Sequence, residues 1–332
     1  MNLLDTQGVA IIGTGSCVPS MCITNNDLSK IVDTSDDWIT SRTGIKQRRI
    51  KSADESILSL ASEAGLRAIK NAKLESKDID LIILATSTPE DLFGSASKIQ
   101  ALLDARNSLA FDLTAACSGF LLAFVTAAQF LATHKYKNAL IIGADILSDW
   151  VDWTDRKTCV LFGDGAAAVV LQASNNNSLI DFKILTDGNQ SKYLNISSNT
   201  EKIQSNHFFD SKKRSYNFIT MDGKEVYKFA VSKIPTLIKE CLENNQLTVE
   251  DIDWLLLHQA NERILKAIAD KLGISHDKIL QNLNNYGNTS AASIPLMLDE
   301  AINLNKIKKN DLIIMSGFGA GLTWGVALIR WI

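Results

Sequence analysis

Apolar positions along the chain fall into two rhythms. Short unbroken runs, VAIIG (9–13), LIILAT (81–86), ALIIGA (139–144) and VVLQ (169–172), stand between polar or glycine-containing stretches. Runs of this length predict strands buried on both faces. Other stretches, such as ESILSLASEAGLRAIKNA (55–72), place apolar residues at helical spacing and predict amphipathic helices. The alternation predicts an α/β fold with buried strands. FLLAFVTAAQFLA (120–132), interrupted only by Thr126 and Gln129, is too short to span a bilayer and predicts a helix buried within the protein.

The second half of the chain replays the first. KDIDLIILATS (77–87) matches EDIDWLLLHQA (250–260), and KNALIIGA (137–144) matches KNDLIIMS (309–316). The two shifts, 173 residues (77 to 250) and 172 residues (137 to 309), nearly coincide. An amphipathic pattern precedes each of the first pair, AIKNAKL in one half and LIKECLENNQL in the other. This predicts a duplicated α/β unit, with halves 1–175 and 176–332 meeting near QASNNNS (172–178). The polar stretch from Gly188 to Ser215 predicts a loop or hairpin insertion. Equivalent loops of the two halves converge near a pseudo-twofold axis, and clefts between units are common ligand sites.

Composition narrows the class. The 332 residues exceed the roughly 250 at which a single core stops growing, which fits two core-bearing units. With 46% hydrophobic residues, 21% charged and a formal charge of −3, the chain reads as globular, with no signature of nucleic-acid binding. MNLLDTQGVAIIG has no basic region before its apolar stretch, and no run reaches a membrane-spanning length; a soluble compartment is expected. The five cysteines show neither a disulfide framework nor a zinc-site spacing, so reduced thiols and no metal are expected.

Chemistry concentrates in few places. Cys117, in FDLTAACSGF, falls at the mouth of the buried helix, where unpaired N–H groups and the macrodipole would lower a thiol below its free value of about 8.5 and make it nucleophilic. The alternative is a small core residue, since free cysteine is often buried. His258 follows WLLL at a predicted strand end, where it could equally be a hydrogen-bonded core residue; Asn288, in YGNTSAAS, could be a helix cap. Together they suit thioester chemistry: a soft nucleophile and two hydrogen-bond donors for a carbonyl oxygen that becomes negative. GTGSCVP (13–19) lacks the third glycine of a dinucleotide fingerprint, and no G-x-S-x-G element is present, which argues against an α/β-hydrolase.

AACSGF, LFGDGA, HQAN, YGNTSAAS and GAGLTWG, across essentially the whole chain, resemble the β-ketoacyl-acyl carrier protein synthase III family, condensing enzymes that initiate type II fatty acid synthesis. The resemblance implies a thiolase-like fold, two duplicated α/β halves in a five-layered αβαβα arrangement. It implies acetyl-CoA and malonyl-acyl carrier protein as substrates, an acyl-Cys117 intermediate, no cofactor, a homodimer, and a cytoplasmic or plastid location. His258 and Asn288 would stabilise the malonyl enolate, and the backbone N–H groups of Cys117 and Ala320 would form the second oxyanion hole. Trp38 and Arg156 would sandwich the CoA adenine, Arg42 would contact its phosphate or base, and Asn261 the pantetheine arm. Phe93, reaching across the dimer, and Phe318 would shape the acyl pocket. Lys228, Arg263, Lys266 and Lys271 would dock the acidic carrier protein. A related synthase using another starter, of polyketide or quinolone type, shares the same three residues; a non-catalytic partner subunit is the third alternative.

Overall fold

The structure, a computed structural model, describes residues 7–205 and 210–332. Five strands, β1 (Gly8–Cys17), β2 (Leu81–Ala85), β3 (Leu109–Leu113), β4 (Asn138–Asp145) and β5 (Gly165–Ser174), form one sheet in the order β1-β5-β4-β2-β3. In it β2 runs parallel to β3 and β4, while β5 is antiparallel to β1 and β4. The chain then forms β6 (Leu179–Thr186) and a hairpin, β7 (Ser198–Ser205) with β8 (Asp210–Tyr216), inside the stretch read as an insertion. A second sheet contains β6 with β9 (Trp254–Leu257), β10 (Leu312–Gly319) and β11 (Thr323–Arg330), ordered β9-β10-β11-β6. A lone parallel bridge from Leu255 to Ile279 stands where β3 stands in the first sheet.

Strand order and pairing sense therefore repeat between the halves. The eight-residue strand β4 corresponds to the eight-residue β10, a shift of 174 residues (138 to 312), two more than the KNALIIGA and KNDLIIMS match suggested. Charged and amide residues at the strand entrance gave the sequence match its register; the ladders set the structural one.

The long helices are α1 (Asp36–Thr43), α2 (Ile57–Asn71), α3 (Ala96–Leu102), α4 (Gly119–Ala132), α5 (Gly223–Asn244), α6 (Glu262–Leu272) and α7 (Ser293–Asn303). Side chains of α2 and α3 such as Leu60, Ala64 and Ile99 pack on Ile82, Leu84, Leu140 and Ile142 at one outer face. Ile238, Leu265 and Ile268 of α5 and α6 pack on Leu255, Leu257 and Ile314 at the other. Between the sheets lie α4 and α7: Phe120, Phe124, Ile294 and Met297 share a core with Ile83 and Ile141 on one side and Leu256 and Met315 on the other. Alternate residues of one strand face different cores, Ile313 and Met315 inward and Leu312 and Ile314 outward, as the two-residue strand period requires. The layers are helices, sheet, helices, sheet, helices: the αβαβα arrangement of the thiolase fold.

Both central helices start from the same irregular device. A tight turn, Ala116–Ser118 before α4 and Ser290–Ala292 before α7, opens with a residue in the left-handed region, Ala116 at φ 46° and Ser290 at φ 50°. A side chain held there costs on the order of 1–2 kcal/mol. The turn at Ser290 lies directly on β4, where a Cβ on Gly143 would meet the Ala291 carbonyl oxygen within 2.3 Å. Gly143→Ala is expected to lower the unfolding free energy by about 1–3 kcal/mol, the range of core overpacking, measured as a reduced urea midpoint at unchanged m.

Candidate active site

Cys117 sits in the turn before α4, 6% exposed. The end of β10 presses on it: a Cβ at Gly319 would lie 2.7 Å from the Cys117 amide nitrogen and 3.2 Å from its Cα. Glycine is required there for the two backbones to approach. Cys117, His258 and Asn288 line one narrow cavity of about 110 Å³, together with Asn261 and Phe318. Cys117 also opens onto a cavity of about 1220 Å³ lined by Phe93, Ser290 and Ala320. Two spaces thus meet at the sulfur.

His258 extends β9, its N–H donating to the Ser316 carbonyl at 2.8 Å. Its ring lies edge-on to Phe318, centroids 5.2 Å apart, and Nδ1 is 2.7 Å from Ser293 Oγ. That oxygen also accepts from the Gln259 N–H at 3.4 Å; with its own proton donated to Nδ1, the imidazole proton is on Nε2, the ring's remaining hydrogen-bonding position. Burial drives the imidazole down to about 3, so it is a neutral donor. Asn288 is oriented in the same way. Its Oδ1 accepts from the Ser290 N–H at 2.8 Å, which leaves Nδ2 as the donor end, and its backbone bridges to Phe162.

The sulfur departs from expectation. Burial pushes the Cys117 thiol up to about 12; the Ser290 side chain opposes this, the Asp145 charge adds to it, and Asn288 opposes it. A helix terminus offers up to ~2 kcal/mol, whereas a rise from about 9 to about 12 corresponds to about 4 kcal/mol. Desolvation and the helix terminus thus act in opposite directions on this sulfur. Sequence reading missed the polar groups behind the site: Ser290, Ser293 and Asp145, the last fully buried at the end of β4. Aligning LTAACSG with GNTSAAS through the repeat would have flagged the two serines; nothing marked Asp145 beyond its place at a strand end.

Other expected contacts are placed as follows. The Arg156 guanidinium lies 4.7 Å from the Trp38 ring centroid and that of Arg42 4.8 Å from it. An adenine between Trp38 and Arg156 needs roughly twice the ~3.5–4 Å carbon contact distance, so the expected slot is filled by Arg156 itself. Arg156 is exposed and held by the Asp33 carbonyl at 2.7 Å, a contact that is cheap to release. Asn261 caps α6 by accepting from the Arg263 N–H, and its amide donates to the Arg42 carbonyl. Phe93, 99% exposed, and Phe318 do not share a pocket: they line the larger and the narrower cavity respectively. Of the basic group, Lys228 is paired with Glu225, Lys266 with Glu262, Arg263 donates to the Ser41 carbonyl, and Lys271 is exposed in the last turn of α6. Among the described residues no cluster of three or more His, Cys, Asp or Glu could hold a metal ion, and no helix is long and apolar enough to cross a membrane.

The profile described as 3-oxoacyl-[acyl-carrier-protein (ACP)] synthase III matches residues 111–188, and that of the C-terminal portion of the same family matches residues 242–331. The chain is 57% identical over 330 residues to the beta-ketoacyl-[acyl-carrier-protein] synthase III of Nostoc sp., covering 99% of both chains. It is 53% identical to the Synechocystis sp. protein of the same name, covering 100% of both. The crystal structure of 3-oxoacyl-[acyl-carrier-protein] synthase III from Aquifex aeolicus superimposes with a TM-score of 0.89 at 44% identity, over 98% of this chain and 100% of that one. The priming β-ketosynthase of the R1128 polyketide biosynthetic pathway gives 0.90 at 29% identity, over 100% and 98%.

The depressed basicity of His258 has a stability consequence. An unfolded histidine titrates near 6.5, so below that pH the unfolded chain takes up a proton that buried His258 refuses until about 3. This contribution is present above 6.5 and is lost as pH falls through that window. Between pH 7 and pH 5 the wild-type protein is expected to lose about 2 kcal/mol more unfolding free energy than His258→Gln, read from urea titrations at the two pH values.

Proposed function

The chain belongs to the 3-oxoacyl-[acyl-carrier-protein] synthase III family, and from that premise we propose that it condenses acetyl-CoA with malonyl-acyl carrier protein to begin fatty acid synthesis. The observation that carries this reading is the convergence of Cys117 with His258 and Asn288 on one narrow cavity. Cys117 sulfur attacks the acetyl thioester carbon, the bond to the CoA sulfur breaks, and an acetyl-Cys117 remains. Malonyl-acyl carrier protein then enters by the same route. His258 Nε2–H and Asn288 Nδ2–H donate to its thioester oxygen, so electrons released as carbon dioxide leaves are held as an enolate. The α-carbon attacks acetyl-Cys117, the new oxyanion rests on the N–H groups of Cys117 and Ala320, and the freed Cys117 thiolate takes a proton from water. A neutral imidazole suits this role, because a donor without charge does not hold the malonyl carboxylate in place.

The thioester is the substrate and no further cofactor is invoked. CoA would reach the cavity past Trp38 and Arg42 once Arg156 swings aside, with Asn261 against the pantetheine arm. Lys228, Arg263, Lys266 and Lys271 form the docking face for the acidic carrier protein. A second copy covers the larger cavity: β3 is a sheet edge, and Leu92, Phe93, Leu102 and Leu109 beside it are exposed. The loop carrying Phe93 is anchored by the Asp112 carboxylate, which accepts from the Ser95 and Ala96 N–H groups, so Phe93 is presented to the neighbour's pocket. A cytoplasmic or plastid location follows from the activity. A polyketide-type starter is the second reading, favoured by the likeness to the R1128 enzyme and by the volume of the larger cavity.

Incubation with acetyl-CoA is expected to place one acetyl group on the Cys117 peptide, seen by mass spectrometry, and malonyl-acyl carrier protein is expected to remove it as acetoacetyl product. Cys117→Ser loses acetylation. His258→Ala and Asn288→Ala keep acetylation and lose at least 10²-fold in condensation; the reverse order overturns the roles, and transfer only from longer acyl-CoA selects the second reading. Sedimentation velocity is expected to show a dimer, converted to monomer by Leu109→Arg.

A further inference from the structure

The motif HQAN supplies His258 to the site and Asn261 to the cap of α6, and leaves Gln259 without a role. Gln259 is buried, where an amide is costly unless its donors and acceptor are satisfied. Its Nε2 donates to the Leu257 carbonyl at 2.7 Å and to the Leu280 carbonyl at 3.1 Å, and its Oε1 accepts from the Asn282 N–H at 3.2 Å. All three partners are backbone groups of buried residues, so the side chain stands in for a peptide unit. Strand β9 is bridged in parallel to the segment at Ile279, and the Leu280 N–H donates to the Leu255 carbonyl at 3.0 Å. The backbone cannot carry that pairing further, because the chain turns at His258, where the Ala260 N–H returns to the His258 carbonyl at 2.9 Å. The Gln259 amide takes up the pairing where the strand leaves it.

This clamp joins the segments that carry the two side-chain donors of the site. On one side Gln259 follows His258 directly, and its own N–H donates to Ser293 Oγ, the atom that also meets His258 Nδ1. On the other, Asn282 opens the single helical turn Leu283–Tyr286, which leads through Gly287 to Asn288. That segment is tied in turn to α7: Asn282 Nδ2 donates to Glu300 Oε2 at 2.8 Å, and the Tyr286 hydroxyl donates to Glu300 Oε1 at 2.5 Å. Cys117 is held from elsewhere, by the turn before α4 and the end of β10. We infer that Gln259 is a positioning residue that sets the separation of His258 and Asn288, serving condensation and not acetyl transfer to Cys117, an inference that rests on the roles proposed for those three residues. Gln259 is not part of the narrow cavity's wall, although His258, Ala260 and Asn261 are, so it acts through its neighbours. Two donors hold one thioester oxygen only when both reach it, and a misplacement of about 1 Å can cost about 10²-fold.

Gln259→Met, which keeps the volume and removes the amide, tests this in two single-turnover measurements on the full chain. One is acetylation of Cys117 by acetyl-CoA; the other is loss of acetyl from pre-acetylated enzyme on mixing with increasing malonyl-acyl carrier protein. Acetylation is expected to stay within about threefold of wild type, while the limiting rate of condensation falls about 10²-fold with the half-saturating carrier-protein concentration little changed. Gln259→Asn, which keeps the amide but draws it back by one methylene, is expected to show the same split with a loss of about tenfold, and carries the test where the methionine variant does not fold. Condensation at the wild-type rate overturns the inference, as does a loss in acetylation equal to or greater than that in condensation, which is a packing defect. Failure of the wild-type protein to acetylate, or full condensation by His258→Ala, overturns the proposed roles instead.

Discussion

The site depends on the burial of α4 and α7 between the two sheets. Each full apolar side chain buried there contributes about 1.5–3 kcal/mol, and Phe120, Phe124, Ile294 and Met297 are all buried. That gain offsets the left-handed backbone at Ala116 and Ser290. It also carries the helix entrances into the interior, where polar groups turned away from the cavities must find protein partners. Asp145 and Asn288 are such partners for the turn before α7: Asp145 accepts from the Ala291 N–H and Asn288 from the Ser290 N–H.

Dryness sets the charge states in a direction that helps one step and hinders another. A buried imidazole stays neutral and donates through Nε2, and in low dielectric such a donor stabilises a developing oxyanion more than it would in water. The same desolvation opposes ionisation of the thiol, against the helix terminus. In the proposed reaction the condensation half would meet an environment suited to it, whereas the acylation half would work against the burial of the thiol.

Much of this was legible from the chain. Unbroken runs such as LIILA and ALIIGA predict buried strands because both of their faces are covered by helices, and β2 and β4 are buried throughout. The repeat predicted the doubling of the sheets, and the mouth of the apolar run at Phe120 located α4 to within one residue. What pattern could not supply was the balance between two effects on one atom: a helix terminus is visible in sequence, the depth of burial at Cys117 is not. Nor could it show that Arg156 rests on Trp38, because contact between residues so far apart in sequence depends on how the turn carrying Arg156 packs against α1. The two-residue difference between matched sequence and matched strand likewise needed the ladders.

The duplication explains how one fold holds a nucleophile and its donors without crowding. At the structural shift, Cys117 pairs with Ala291, Ser290 with Ala116 and Ser293 with Gly119, and the matched strands pair His258 with Ala85. Where His258 meets Ser293 in one half, a Cβ on Gly119 would touch the Ala85 Cβ at 3.3 Å in the other, the same contact without the polar atoms. Gly143 and Gly317 pair as well, each under the turn of the opposite half. The informative pair is Asp145 with Gly319. Asp145 accepts from the Ala291 N–H and so closes that turn, whereas Gly319 sits against the Cys117 nitrogen with no side chain to accept from it. A carboxylate there would seal the amide and place negative charge beside the oxyanion. Glycine there leaves the Cys117 N–H without a side-chain acceptor, so the two turns, alike in backbone, differ in what meets their amides.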